Sequence, residues 1–332
     1  MLRVGNQAVT KRLFNLRSQV PLLDIVSYAR GPGPLTRRQR EYVARTVRRV
    51  PEVVVKVSGG ARTLAGVERY FKYIEKKGIT GLETDMDTRA GGAGFAGDLV
   101  RDWDLDLEAL KHYSKKTARG KPPKLVHNII FSMPEGTSPK IVFEAVRRFA
   151  LNEWALEHRY AMALHTDTPR PHVHVAVKAM SEQGDRLNIK KETLRSWRAQ
   201  FAAQLNELGQ AANATERAVR GETRTHKRTE IYRAAQRNDS HHVRVADSKA
   251  LREAEGGTQA TDPGLAVMRR TRSYVLAAWL ALQSKVRATG DEELARDIGE
   301  FADAMPPVQT EHAKRVNHAK EVAAARTGRS FH

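Results

Sequence analysis

The stretch His165-Thr-Asp-Thr-Pro-Arg-Pro-His-Val-His-Val-Ala-Val-Lys178 decides how the rest of the chain is read. After Pro171 it alternates polar and apolar side chains, the period of a strand, in which residues i and i+2 share a face. His172 and His174 therefore project together, with Val173 and Val175 on the other side. His165 closes the apolar run Tyr160-Ala-Met-Ala-Leu164 and precedes a proline-containing turn. If the two runs form a hairpin, His165 comes back beside the His172/His174 pair. Three imidazoles converging on one point hold a divalent metal and leave positions on it open. A His-x-His pair alone would fit a solvated strand face equally well. The third histidine and Asp167 tip the reading to a metal site, with His165, His172 and His174 as ligands. The hairpin register is its weak point: a longer turn would make His127, on a neighbouring strand, the third ligand.

Composition points the same way. A chain of 332 residues is long enough for one large or two ordinary domains and a sizeable core. Its net charge of +19 calls for a polyanionic partner, nucleic acid before an anionic membrane surface. The absence of cysteine excludes disulfides, thiolate metal sites and cysteine nucleophiles, and is compatible with a reducing cytosol. The N-terminus lacks a signal-type apolar core, and the longest apolar run, Tyr274 to Leu282, is far short of a membrane span. The chain reads as a soluble, intracellular, basic protein.

Taken in order, residues 1–50 are arginine-rich, with a helix expected from Thr36 as N-cap to Val50. Residues 52–57 read as a strand. Thr63 to Lys77 reads as a helix closed by Gly78, with Tyr70 and Tyr73 three apart and Lys72, Lys76 and Lys77 at one end. Residues 79–123 are less regular: a glycine loop over 91–97, a short helix from Leu105 to Ser114, and a basic loop from Lys115 to Lys124. The glycine loop has neither dinucleotide-binding nor Walker spacing. Leu125 to Met133 is a near-continuous apolar strand; a helix follows from Ser138 to Leu156 with Pro139 in its first turn. After the hairpin come a short strand near residues 186–189 and a helix from Glu192 to Leu208. This order predicts an α+β fold, an antiparallel sheet with helices packed on it, followed by an all-α C-terminal region. The expected division is a basic N-terminal extension over 1–50, a catalytic domain over 51–240 and a helical region over 241–332. Trp154, Trp197 and Trp279 fall on apolar helix faces and are expected in the core.

A metal held by three neutral imidazoles can take a phosphodiester oxygen and act on it as a Lewis acid. A nucleophile is still needed, and the chain has no cysteine and no G-x-S-x-G elbow. Tyrosine is a reasonable choice, because nearby lysines and a divalent cation lower its usual pKa of about 10. Tyr70 and Tyr73, on a lysine-rich helix after an early strand, are the candidates, although either could be plain packing.

Three motifs in order now resemble a known family. Lys72-Tyr-Ile-Glu-Lys-Lys-Gly78 resembles the nucleophile motif of conjugative DNA relaxases, above all the MOB-P group that includes the T-DNA border relaxase. His127-Asn-Ile-Ile-Phe-Ser-Met-Pro-Glu-Gly-Thr137 is similar to that group's second motif, and His165 to His174 to its third, the His-hydrophobic-His triad. Ala214 to Gly221 resembles the basic segment that closes such domains. The likeness runs over roughly residues 50–235, although 72 residues precede Tyr73, where the family's tyrosine usually lies close to the N-terminus.

The resemblance implies an endonuclease fold of the HUH type and a catalytic set of Tyr73, Asp167 and His127. It makes His165, His172 and His174 ligands of a divalent metal, Mg²⁺ or Mn²⁺. It implies site- and strand-specific nicking and strand transfer at a plasmid or mobile-element transfer origin through a 5′-phosphotyrosyl intermediate. Its partners would be single-stranded DNA, accessory relaxosome proteins and a type IV secretion coupling protein; its place would be the bacterial cytoplasm, with translocation alongside the DNA. Two other readings stay open. A rolling-circle initiator or transposase of the same superfamily usually places its tyrosine after the histidines, where this chain has Tyr232 and Tyr274. A non-catalytic single-stranded nucleic-acid-binding module would need the charge but not the triad. A metal-free phosphodiesterase with paired His-x-Thr triplets is disfavoured, because the chain contains none.

Overall fold

A computed structural model describes residues 25–79, 81–86, 89, 90, 95–105, 107, 122–222, 234, 237, 240–256 and 263–326. The expected helix from Leu105 to Ser114 and the basic loop after it lie largely outside these residues, as does Tyr232. In chain order the elements begin with helices α1 (Ile25–Arg30) and α2 (Arg37–Val47). Then come β1 (Val54–Ala61), α3 (Leu64–Lys77), β2 (Leu82–Thr84), β3 (Arg89–Ala90) and α4 (Phe95–Asp102). They are followed by β4 (Val126–Ser132), α5 (Pro139–Glu153), β5 (Tyr160–His165), β6 (His172–Lys178) and α6 (Lys191–Glu207). Four further helices close the described chain: α7 (His241–Gly256), α8 (Pro263–Arg287), α9 (Glu292–Asp303) and α10 (Glu311–Arg326).

The described residues form two compact units, one from 49 to 214 and the other joining the segment before residue 49 to that after 214. The first unit is built on a six-stranded sheet in the order β1-β4-β6-β5-β2-β3, with antiparallel neighbours throughout. This is the α+β architecture that the sequence predicts. Alternation sends side chains to two differently covered faces. Val55, Ile129, Phe131, Val173, Val175, Val177, Met162 and Leu164 face one way and bury against Phe149 of α5 and Trp197 and Phe201 of α6. Val126, Ala161, Ala163 and Ala176 face the other way, beneath Val67 and Phe71 of α3 and Leu99 of α4. The small alanines let α3 approach closely on that side.

Local chemistry sets several boundaries. Thr63 caps α3 by accepting from the Gly66 amide, satisfying one orphan donor of the first turn. Pro139 opens α5, where a missing amide hydrogen costs nothing. Ser138 occupies the cap position without a side-chain bond. The expected strand near 186–189 is reduced to a single bridge between Met180 and Arg186, because so short a segment has room for no longer ladder. Elements β2, β3 and α4, each short and flanking the glycine-rich region, have no counterpart in the sequence pattern.

The second unit is helical. Ile25, Tyr28, Leu35, Val43 and Val47 share one core with Val275, Trp279, Leu282, Ile298 and Phe301. Lys285 Nζ donates to the carbonyls of Tyr28, at 2.9 Å, and Gly31, at 2.7 Å. The arginine-rich residues after 24, read from the sequence as part of an extension over 1–50, thus fold together with the C-terminal helices. Their apolar stripe requires a partner, and that partner is distant in sequence. Thr36 caps α2 in a reciprocal box with Gln39. No described helix is long and apolar enough to cross a membrane.

Candidate active site

The hairpin forms in the register that the sequence requires. His165 lies opposite His172, and Ala163 opposite His174. Directly paired residues share a face, so all three imidazoles emerge on the side covered by α3. Ring centroids are 4.4 Å apart for His165 and His174, 5.2 Å for His172 and His174 and 5.4 Å for His165 and His172. One nitrogen from each ring lies within 4.8 Å of the other two, a spacing that could hold a metal ion.

The hydrogen bonds of the triad test whether a metal fits. The Nε2–H of His165 donates to the Ile74 carbonyl at 2.9 Å, and the Nδ1–H of His172 donates to the Arg170 carbonyl at 3.0 Å. A neutral imidazole carries one N–H, so these bonds leave His165 Nδ1 and His172 Nε2 as lone pairs. His165 Nδ1 is buried and has no hydrogen-bond partner. Burial pushes His174 down to about 3, with His165 and His172 adding to the effect; burial likewise lowers His165. A buried, unprotonated nitrogen in a cluster of three imidazoles is what a cation ligand requires. The residues fit a divalent metal.

The α3 helix brings Tyr70, Tyr73, Ile74 and Lys77 to this place, on the neighbouring positions i, i+3, i+4 and i+7. The Tyr73 ring stands 5.6 Å from that of His174 and 5.9 Å from that of His165, and the residue is 43% exposed. Tyr70 stacks on it at 6.2 Å. The Tyr70 hydroxyl lies 3.2 Å from His174 Nδ1, and burial, then Tyr73, pushes its phenol upward. Of the two candidates, Tyr73 is the open one. Lys77 Nζ sits 5.9 Å over the Tyr73 ring and donates to Asp167 at 2.8 Å. The lysine holds the Asp167 carboxyl below its usual range, and the same carboxylate is 3.6 Å from His172 Nε2.

His127 is not brought to this group. It pairs with Gly60 and Val177, so its side chain leaves the sheet on the face opposite the triad. There burial, then Lys124 and Arg186, pushes it down to about 4. Neither its expected catalytic part nor the alternative of a third ligand matches this placement. Three neighbours escape a reading of the sequence. Lys56 lies opposite Ile130, which lies opposite His174, so the lysine shares the triad's face. Its signal is that it is the one cation in the alternating run Val55-Lys-Val57. The Ile74 and Arg170 carbonyls leave no trace in a pattern of side chains.

Comparison with known proteins finds a family model similar to this part of the chain. Residues 73–209 match the model of the relaxase family described as "MobA/VirD2-like, nuclease domain". The matched region opens at Tyr73 and spans the whole histidine hairpin. Among solved structures, the chain is similar to the "MobM Relaxase Domain (MOBV; Mob_Pre) bound to 26nt pMV158 oriT DNA". That similarity has 13% identity and a TM-score of 0.36, and covers 55% of this chain and 99% of the other. No curated protein matches the chain.

Proposed function

We propose that this protein is a metal-dependent relaxase that nicks one DNA strand at a transfer origin and holds the cut end covalently. The observation that carries this reading is the exposed Tyr73 phenol beside three converging imidazole nitrogens, within a segment that matches the relaxase family model.

The triad of His165, His172 and His174 would hold Mg²⁺ or Mn²⁺. Bound there, the cation supplies a Lewis acid that polarises the scissile phosphate and offsets the charge gathering on it. Tyr73 is the nucleophile: its phenol oxygen forms a bond to phosphorus as the bond from phosphorus to the 3′ oxygen breaks. The Asp167 carboxylate takes the phenol proton and passes it to solvent, and the departing 3′ oxygen takes a proton from water. The products are a 5′-phosphotyrosyl linkage and a free 3′-hydroxyl. One phosphodiester replaces another, so the 3′-hydroxyl can attack in turn and rejoin the strand. Lys77 places a positive charge beside the Tyr73 ring, where it can meet the negative charge of an incoming strand. Lys56 lies where it can meet a strand crossing the triad face. Accessory proteins, a secretion partner and translocation with the DNA belong to the same reading.

The test uses the full chain, Mn²⁺ and a single-stranded oligonucleotide from the transfer region next to its own gene. We expect a protein-linked 5′ product from the wild type. Tyr73→Phe should take it below detection, since losing a nucleophile costs on the order of 10⁶-fold in a well-studied hydrolase. A free 5′ end from the wild type would rule out the covalent route. An adduct that survives Tyr73→Phe but disappears with Tyr232→Phe would favour a replication initiator.

A further inference from the structure

Tyr70 is not needed as a nucleophile, yet its hydroxyl is turned inward onto a histidine of the triad, 3.2 Å from His174 Nδ1. We propose that Tyr70 is a positioning residue, whose phenol oxygen accepts the Nδ1–H of His174 and so fixes the tautomer that presents Nε2 to the metal. The proposal rests on the metal reading of the triad and deepens it.

Each imidazole of the triad has two ring nitrogens, and one of each has an outward partner. For His165 that partner is the Ile74 carbonyl, and for His172 it is the Arg170 carbonyl. Both are acceptors only, so both rings have a fixed N–H and a fixed lone pair. His174 is the exception, because its outward partner is a hydroxyl, which can donate or accept. When Tyr70 donates, His174 carries its hydrogen on Nε2, pointing into the triad, and cannot ligate. When Tyr70 accepts, the hydrogen lies on Nδ1 and Nε2 is free. Metal binding selects the second arrangement, and the outer partner of a ligating histidine raises its basicity and holds its plane. The phenol ring makes a separate contribution. It stacks on Tyr73 at 6.2 Å with 28° between the planes, supporting the nucleophile from below. Phenylalanine would keep the stacking and lose the hydrogen bond, which allows the two contributions to be separated.

The experiment titrates Mn²⁺ into the full chain by calorimetry for the wild type, Tyr70→Phe, Tyr70→Leu and His174→Ala. The Zn²⁺-loaded proteins are then compared by imidazole ¹H–¹⁵N spectra, with melting curves to confirm folding. We expect Tyr70→Phe to melt as the wild type does and to bind Mn²⁺ about 10–100-fold more weakly, the usual effect of losing such a partner. The hydrogen-bonded His174 Nδ1–H resonance of the wild type should be lost or shifted upfield. Tyr70→Leu should weaken metal binding equally and slow adduct formation further, through the loss of ring support. A Tyr70→Phe protein with wild-type Mn²⁺ affinity and an unshifted resonance would overturn the proposal, provided that His174→Ala abolishes binding. Binding unaffected by His174→Ala would instead defeat the metal reading itself.

Discussion

Tyr73, Tyr70 and His127 show how far residue type and spacing can carry a reading, and where they stop. Tyr73 and Tyr70 are chemically alike and three apart, and sequence cannot separate them. The structure does, because one phenol is open beside the triad and the other is spent on His174. His127 is singled out by its motif and set on the face away from the triad by parity alone. One strand position decides which face it takes, and that face is fixed by pairing with residues distant in sequence. Its surroundings give it a thermodynamic role. In the unfolded chain it titrates near 6.5, whereas in the fold burial holds it down to about 4. Between those values the unfolded chain binds a proton that the folded one refuses. Stability therefore falls as pH drops from about 6.5 to about 4 and levels off, for this group, below that. His127→Leu removes this uptake. We expect its Tm, measured by scanning calorimetry, to fall less than that of the wild type across the window, and adduct formation at neutral pH to stay within a few-fold. A folded His127→Leu protein that forms no adduct would restore this residue to the chemistry.

The C-terminal end of α3 ties the proposed nucleophile to the proposed ligands. The last carbonyls of a helix have no partner within it, and one of them, that of Ile74, accepts from His165. The helix end that carries Tyr73 thus also sets the plane of the His165 ring, a proposed ligand. Gly78 follows directly, and its φ of −73° is open to any residue, so conformational freedom is not what the position requires. Space is. A Cβ there would lie 2.9 Å from the Ile74 carbonyl oxygen and 3.0 Å from Ala163 Cβ, the latter on the residue opposite His174. Gly78→Ala should force these groups apart at a cost of about 1–3 kcal/mol, the usual range for overpacking. The measurements are a lowered Tm and weaker Mn²⁺ binding in calorimetry; a destabilised variant that keeps full Mn²⁺ affinity would break the proposed link. At this level the sequence is most informative. The long periodic segments α3, β4, α5, the β5–β6 hairpin and α6 can all be read, because each repeats its pattern over several turns or pairs. The short strands β2 and β3 and helix α4 cannot, because two to eight residues carry too few repeats to stand out.

Taken whole, the proposed function combines two kinds of recognition that should respond differently to solution conditions. Fold class and charge are both legible from composition and element order. The joining of α1 and α2 to the C-terminal helices is not, because two amphipathic faces that pair across the chain have no local signature. Lysine and arginine outnumber aspartate and glutamate by 57 to 38. Each phosphate of a single strand that they neutralise should contribute about 0.7 to the negative slope of log affinity against log salt. A strand held over about six phosphates would have a slope near −4, and would lose roughly 300-fold in affinity between 50 and 200 mM salt. The proposed metal site would act on one phosphate at short range and would depend little on that screening. Raising salt should therefore weaken strand binding, followed by fluorescence anisotropy, while the adduct formed per bound strand stays constant at saturation. Removing the metal with EDTA should do the reverse, ending adduct formation and leaving most of the affinity. A shallow salt slope would mean that the excess charge serves a different polyanion. An adduct rate at saturation that fell in step with affinity would mean that binding and chemistry depend on the same contacts.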